Sequence, residues 1–341
     1  MLRKTIFYLL LLLLLLLALE GTVRLYQRWR SGAPLTGPMI LHYYPGLAPL
    51  LEHPVRRRPG QWNLLLLGGS VLNNCCGHIQ SFLAAGLKEA AGGREVHIYN
   101  LGEPGLTSRD SLIRYRLLAA SRFDLVIFYH GINEVRANNC PDRMFRPDYT
   151  HFSWYADIQT VLEHPESRWL RLPVTLEILW SHLLARLGLR RALPLGRQPD
   201  TWMDLGCRVK TASCFAHNLA ELARLARRRG DRLLLATFAL YIPPDYSLAA
   251  FRAHRLDYAA HESPVELWGR PECVRLGVRA HNRALRRVAR ELGVPLVEVA
   301  REMPHGRRYF DDPCHLTLQG SRRWVELVLP RALALLKGKA G

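Results

Sequence analysis

The sequence lacks the glycine-rich loops that bind nucleotide phosphates, since neither GxGxxG nor GxxxxGK follows its first predicted strand. It also has no CxxC pair, and its seven cysteines are spaced too widely for a zinc cluster. Lysine is scarce, with five among 47 basic residues, and no nucleic-acid-binding motif accompanies them. These absences argue against a nucleotide enzyme, a zinc protein and a nucleic-acid-binding protein.

The composition of the 341 residues, 49% hydrophobic and 22% charged, is typical of a globular protein. The formal net charge of +18 suits an anionic lipid, an acidic glycan or nucleic acid as a partner. Because the arginines are scattered, and several recur along one helical pattern from 272 to 292, a solvated basic face is favoured over nucleic-acid binding. We therefore predict no nucleic-acid partner.

The N-terminus carries an apolar run from Thr5 to Leu19, preceded by Arg3 and Lys4. As a helix the run spans only about 22 Å, but it can continue beyond Glu20 toward the ~30 Å of a hydrocarbon core. No small-x-small cleavage site follows the run, so a retained anchor over residues 1–28 is favoured over a cleaved signal peptide. We predict a single-pass membrane protein whose long C-terminal part is extracytoplasmic.

Residues 29–60 are rich in proline and glycine and are predicted to be a linker. Residues 61–338 then alternate short apolar runs with helical patterns, which predicts βαβ units and an α/β domain with a parallel sheet. Predicted strands are 63–67, 95–99, 124–129, 232–238 and 295–299, and predicted helices are 79–91, 108–120, 210–229, 272–292 and 318–337.

An insertion at about 135–206 interrupts this alternation. It contains a strongly apolar helical pattern from Leu176 to Leu187. A helix packed on the domain core is the favoured interpretation. A segment that caps the site or touches a membrane surface is the alternative.

The first predicted strand, Leu64 to Leu67, is followed by Gly68, Gly69 and Ser70. Four consecutive apolar residues indicate a strand buried on both faces, and two glycines allow a sharp turn that presents a hydroxyl at its end. Ser70 is therefore the candidate nucleophile.

Groups suited to nucleophilic catalysis follow later strands of the sheet. Gly105 allows a backbone N–H to approach a reacting oxygen closely, and Asn133 offers an uncharged amide donor. Asp312 stands three residues before His315, in a loop that enters the last helix, so its carboxylate can orient the imidazole.

Together these blocks resemble the SGNH hydrolases, also called the GDSL esterase and lipase superfamily. The resemblance covers about 63–337 without the insertion, and the motifs Gly-Gly-Ser, Asn-Leu-Gly-Glu-Pro-Gly, Gly-Ile-Asn-Glu and Asp-Pro-Cys-His occur in the family's order. It implies a flavodoxin-like three-layer α/β fold with a central parallel sheet and no metal or cofactor. Implied roles are nucleophile for Ser70, base for His315 and orienting acid for Asp312. Ser70, Gly105 and Asn133 would form the oxyanion hole.

Two positions depart from the family pattern, which commonly has aspartate where this chain has Gly69 and Glu134. Of the other candidates, His130 is interpreted as structural, and Asp311 as a less favoured partner for His315. Cys314 is interpreted as a packing residue or half of a disulfide. If the domain is extracytoplasmic, one to three disulfides are compatible with the seven cysteines.

The resemblance implies a serine esterase that acts on ester-linked acyl groups of extracytoplasmic lipids or glycans. An O-acyltransferase is one alternative, because it forms the same acyl-enzyme and differs in excluding water. An inactive binding or scaffold module of the cell envelope is the other, motivated by Gly69 and Glu134.

Overall fold

The computed structural model describes residues 1–73, 77–190, 192–196 and 198–338. Within these ranges the chain forms five β-strands and eleven α-helices. The strands are β1 Gln61–Gly68, β2 Glu95–Asn100, β3 Leu125–Tyr129, β4 Arg232–Ala236 and β5 Leu296–Val297. The helices are α1 Leu2–Ser31, α2 Ala48–Glu52, α3 Ile79–Ala90, α4 Ser108–Leu117, α5 Ser153–Glu163, α6 Leu172–Arg186, α7 Thr211–Arg229, α8 Leu248–Arg252, α9 Pro271–Leu292, α10 Val299–Glu302 and α11 Leu318–Leu336.

The strands form one parallel sheet in the order β2-β1-β3-β4-β5. The apolar side chains of β1 and β3 are fully buried, as expected for central strands covered on both faces. The predicted α/β fold is confirmed, and its strand order is the flavodoxin-like one. The direction of chain connection reverses between β1 and β3, so a site is expected beyond their carboxyl ends.

The helices that flank the sheet begin and end close to the predicted bounds, for local reasons. α4 begins with a capping box, in which the Thr107 and Asp110 side chains accept from each other's backbone N–H groups. α7 and α9 end at Gly230 and Gly293, whose φ angles of 70° and 64° favour glycine. Most of the basic side chains on α9 are exposed, in keeping with a solvated face.

The chain divides into two compact units, one of residues 1–52 and 149–195 and one of 53–148 and 196–341. The first unit, the α1 unit, contains α1, α2, α5 and α6. The segment predicted as a linker contributes short helical turns to this unit, and its side chains Met39, Ile40, Tyr44 and Leu47 are buried. The second unit, the sheet unit, contains the sheet and the remaining helices.

A disulfide joins Cys207 to Cys273, the third residue of α9. Cys140, Cys214 and Cys314 are buried free thiols, whereas Cys75 and Cys76 lie outside the described residues. The sequence indicated that a disulfide could form, but it did not identify the two cysteines, because 66 positions separate them.

Cys207→Ser is expected to lower the free energy of unfolding by about 4 kcal/mol, since the cross-link closes a loop of 66 residues and so reduces the conformational entropy of the unfolded chain. Urea unfolding in detergent, followed by tryptophan fluorescence, measures the loss. The double variant with Cys273→Ser should lose little more than the single variant. Cys214→Ser, which removes a buried free thiol, is the control, and an equal loss there would contradict the assignment.

Candidate active site

Ser70 lies at the carboxyl end of β1, in the first position of a 3₁₀ turn, Ser70–Leu72. The two preceding glycines are needed for different reasons. A Cβ at Gly68 would lie 2.5 Å from the Leu72 side chain and 2.9 Å from the Tyr129 carbonyl oxygen. A Cβ at Gly69 would lie 2.9 Å from the amide nitrogen of Asn133. Tight packing around the turn therefore places the serine next to the end of β3.

The Ser70 hydroxyl is hydrogen-bonded to His315, with 2.8 Å between Oγ and Nε2. On the other side of the ring, Nδ1 lies 2.6 Å from Oδ2 of Asp312. The second carboxylate oxygen of Asp312 accepts from the backbone N–H groups of Cys314 and His315 at 2.9 and 2.8 Å. Asp312 is fully buried and Ser70 is partly exposed, so the hydrogen-bonded series from Asp312 through His315 to Ser70 runs from the interior to the surface.

The neighbouring Cys314 sulfur and the Asp312 carboxylate both raise the pKa of His315 above its ordinary value. Burial raises the pKa of Cys314 to about 11, so its thiol is neutral at pH 7. The negative charge that acts on the imidazole at this pH is therefore that of Asp312. A carboxylate in this position stabilises the protonated form of the imidazole.

Asn133 begins a 3₁₀ turn after β3, and its side chain is held in one orientation. Its Nδ2 donates to the Leu106 carbonyl at 2.8 Å, and its Oδ1 accepts from Trp268 Nε1 at 3.0 Å. An amide nitrogen has two N–H groups, so one remains for a ligand.

Gly105 adopts a φ of +79°, which a side chain would strain. Its carbonyl accepts from Arg136 Nη2 at 2.8 Å, and the same nitrogen lies 3.3 Å from Asn133 Oδ1. Arg136 thus joins two predicted oxyanion donors. Neither Arg136 nor Trp268 was singled out in the sequence, because a lone arginine or tryptophan in a loop has no distinguishing local pattern.

The two departures from the family pattern have local explanations. At position 69, glycine leaves space that the Asn133 amide occupies. Glu134 is fully buried, and its Oε1 accepts from the backbone N–H of Ser108, the first residue of α4. Burial raises the pKa of Glu134 to about 7. Glu134 therefore serves to hold the amino end of α4.

His130 is buried and bonded to Ser111, with 2.7 Å between Nε2 and Oγ, and burial lowers its pKa to about 3. Its surroundings fit the predicted structural role. The backbone N–H of Asp311 donates to the His315 carbonyl, while Asp312 holds the ring.

Asp312, Cys314 and His315 also bring three ligand-type atoms within 4.8 Å of one another. The imidazole nitrogens there are already bonded to Asp312 and Ser70, so a metal would displace these contacts.

Within the sheet unit, a serine, an imidazole and a carboxylate are thus hydrogen-bonded one to the next, beyond the carboxyl ends of β1 and β3. This is the arrangement found in the class of serine hydrolases. The GDSL-like lipase/acylhydrolase family model matches residues 66–323, and the chain belongs to this family. The predicted resemblance is therefore confirmed, and the protein is an ester-hydrolysing enzyme.

Several solved structures are similar to the chain at low sequence identity. A GDSL-like lipase from Bacteroides thetaiotaomicron has 15% identity and a TM-score of 0.46, covering 85% of this chain and 96% of its own. A lipase/acylhydrolase from Enterococcus faecalis has 13% identity and a TM-score of 0.40, with 80% and 96% covered. An acetyl xylan esterase variant from Geobacillus stearothermophilus has 13% identity and a TM-score of 0.45, with 81% and 96% covered. No curated protein sequence gives a significant match.

Proposed function

We propose that the protein is a membrane-anchored serine esterase that removes ester-linked acyl groups from extracytoplasmic lipids or glycans. The observation that carries the proposal is the continuous hydrogen-bonded series from Ser70 through His315 to Asp312, at 2.8 and 2.6 Å. This geometry supports the roles of nucleophile, general base and orienting acid.

In the proposed reaction, Ser70 Oγ attacks the ester carbonyl carbon while its proton moves to His315 Nε2. The tetrahedral intermediate breaks its bond to the alcohol oxygen, which takes the proton from His315. Water then attacks the acyl-enzyme by the same route and releases the acid and free Ser70. Asp312 keeps the imidazole in the tautomer that accepts at Nε2 and stabilises the imidazolium that forms.

The negative oxygen of the intermediate would be stabilised by the backbone N–H groups of Ser70 and Gly105 and the amide of Asn133. The Ser70 N–H lies at the start of a 3₁₀ turn, where backbone donors are not used within the turn. Arg136 supports the hole indirectly, because it holds the Gly105 carbonyl and lies near the Asn133 amide oxygen. Fixed donors of this kind need no reorganisation during the reaction.

Two features support a membrane-bound, extracytoplasmic enzyme. The helix α1 is long and apolar enough to span a bilayer. The Cys207–Cys273 disulfide is typical of an oxidising compartment. A substrate at or near the membrane, carrying ester-linked acyl groups, suits this location and the net charge of +18.

Contacts at the end of the apolar run support a retained anchor over a cleaved signal peptide. The Glu20 carboxylate accepts from the backbone N–H groups of Arg171 and Leu172. Gln27 is buried and accepts from Arg171 Nη1 at 2.9 Å. Cleavage beyond Glu20, a few residues after the run, would remove this carboxylate and leave the N–H groups of Arg171 and Leu172 without their acceptor.

The pH dependence of hydrolysis tests the proposed site. Catalysis needs neutral His315, and its pKa is raised, so kcat/KM for p-nitrophenyl acetate is expected to rise with pH through a midpoint above the ordinary 6.5 of histidine. Asp312→Asn should move the midpoint to lower pH and reduce kcat by roughly 10⁴-fold.

Asp311→Asn is the matched control for this profile. It removes a neighbouring carboxylate, whereas the ring itself is bonded to Asp312, so the midpoint should move less and kcat should stay near wild type. Equal midpoints in wild type and Asp312→Asn would contradict the proposed role of Asp312.

A further inference from the structure

The helix α6 has apolar side chains on two opposite faces. Val174 and Ile178 are buried within the α1 unit. Other apolar side chains stay exposed at helical spacing i, i+3, i+4, i+7 and i+11, and Trp180, for example, is 60% exposed. These five residues, the outer face of α6, are Leu176, Leu179, Trp180, Leu183 and Leu187. An exposed apolar helix face of this size calls for an apolar environment of its own, in addition to the one that the α1 unit gives to the buried face.

The amino end of α6 is attached to α1 where the apolar run ends. Glu20, directly after Leu19, accepts from the N–H groups of Arg171 and Leu172, at the first turn of α6. Arg24 Nη2, one turn further along α1, donates to the Trp169 carbonyl at 2.5 Å. α6 therefore begins level with the end of the apolar run of α1.

The length of this run sets the depth of that level in a bilayer. Fifteen residues from Thr5 to Leu19 span about 22 Å, roughly 8 Å less than a hydrocarbon core of about 30 Å. The missing length corresponds to about five more residues of α1. The exposed side chains of Leu25, Tyr26 and Trp29 continue the apolar surface of α1 just beyond this stretch.

The charged groups at this depth are directed into the protein. Glu20 is buried and pairs with Arg24 at 2.6 Å, and Arg171 is fully buried. Internal pairing of this kind is how charges are accommodated within a membrane boundary. The arginines Arg28, Arg30, Arg168, Arg186 and Arg190, by contrast, are exposed and suit anionic headgroups.

We propose that α6 lies in the lipid–water interface beside α1, with its outer face among the acyl chains and the exposed arginines at anionic headgroups. The α1 unit is then attached to the membrane by two helices. The apolar run of α1 is shorter than the hydrocarbon core, and α6 supplies apolar surface over the remaining thickness. The inference rests on the membrane anchoring of α1 that forms part of the proposed function, and it is independent of the ester chemistry.

Depth-dependent quenching tests the proposal on the full chain in vesicles of phosphatidylcholine and phosphatidylglycerol. In three separate variants, an environment-sensitive fluorescent amino acid replaces Leu183 in the outer face, Leu13 in the apolar run, or Leu162. Leu162 is the matched control, an exposed leucine of α5 in the same unit, followed by the exposed Glu163. Nitroxide lipids labelled near the headgroup are expected to quench the probe at 183 at least about threefold more strongly than the probe at 162. Nitroxides deep in the bilayer should quench the probe at 13.

The three probes separate the possible failures. Quenching at 13 with equal, weak quenching at 183 and 162 would overturn the interfacial position of α6 and leave the anchor intact. A probe at 183 that is shielded from both aqueous iodide and lipid nitroxide would show that protein, such as a second copy, covers the outer face, and would also overturn it. Absence of quenching at 13 would refute the anchor and this inference together. Hydrolysis of p-nitrophenyl acetate by each preparation reports separately on folding and on the esterase proposal.

Discussion

Ser70→Ala is expected to abolish ester hydrolysis, lowering kcat by about 10⁴–10⁶-fold while the protein remains folded. The Oγ atom is the only part of the residue that the substitution removes, and it is the atom bonded to His315 Nε2 at 2.8 Å. Without it no acyl-enzyme forms, and the imidazole has only water to activate. The same variant should lose all covalent labelling by a fluorophosphonate probe, read by fluorescence on a denaturing gel.

The matched control is Ser111→Ala, because the sheet unit contains a second serine–histidine pair. Ser111 Oγ and His130 Nε2 are 2.7 Å apart, as close as the proposed catalytic pair. This pair is fully buried, and burial lowers the pKa of His130, so it is unsuited to general base catalysis. Ser111→Ala should keep probe labelling, although it can lose stability. Labelling that persists in Ser70→Ala would refute Ser70 as the nucleophile.

The product formed from the acyl-enzyme distinguishes hydrolysis from transfer. In wild type, the p-nitrophenol released should be matched by free acid when water is the acceptor. A product ester that replaces the acid when an alcohol or glycan is added would favour the O-acyltransferase alternative, because transfer requires an acceptor that outcompetes water.

Asn133→Ala should lower kcat by about 10²–10³-fold with little change in KM, since the amide is proposed to meet a charge that develops only in the transition state. The held orientation of the side chain, between Leu106 and Trp268, is what makes the donor effective. Steady-state kinetics with p-nitrophenyl acetate give both constants, and circular dichroism checks that the variant is folded.

Asn63→Ala is the control for this experiment. Asn63 is also a buried asparagine with an amide bonded to a backbone carbonyl, but it lies near the amino end of β1, away from the proposed site. It should alter stability more than kcat. A kcat for Asn133→Ala within about threefold of wild type would contradict the oxyanion role.

Much of the sheet unit was predictable because its signals are local. Apolar runs such as Leu64 to Leu67 indicate buried strands, and parallel strands bring their carboxyl ends, and the residues that follow them, to one edge of the sheet. This is why Ser70 and Asn133, which follow adjacent strands, could be associated without a structure.

What the sequence did not reveal depends on contacts between distant residues. Trp268 donates to Asn133 across 135 positions, and Arg171 contacts Gln27 across 144. Neither contact produces a periodic pattern, so neither the support of the oxyanion amide nor the joining of α1 to α6 was predicted. The short helical turns of residues 39–52 were not predicted either. The proline and glycine there suggested a linker, and the contacts that bury these residues have no local pattern.

The distance along the chain between Ser70 and His315 has a consequence for biosynthesis. The two residues are 245 positions apart, and the proposed base follows the last strand, β5, whereas the proposed nucleophile follows the first. At about 5–20 residues per second, roughly 10–50 s pass between the synthesis of Ser70 and that of His315. Through this interval the chain carries its proposed nucleophile without its proposed base, so a nascent or C-terminally truncated chain is expected to have no esterase activity.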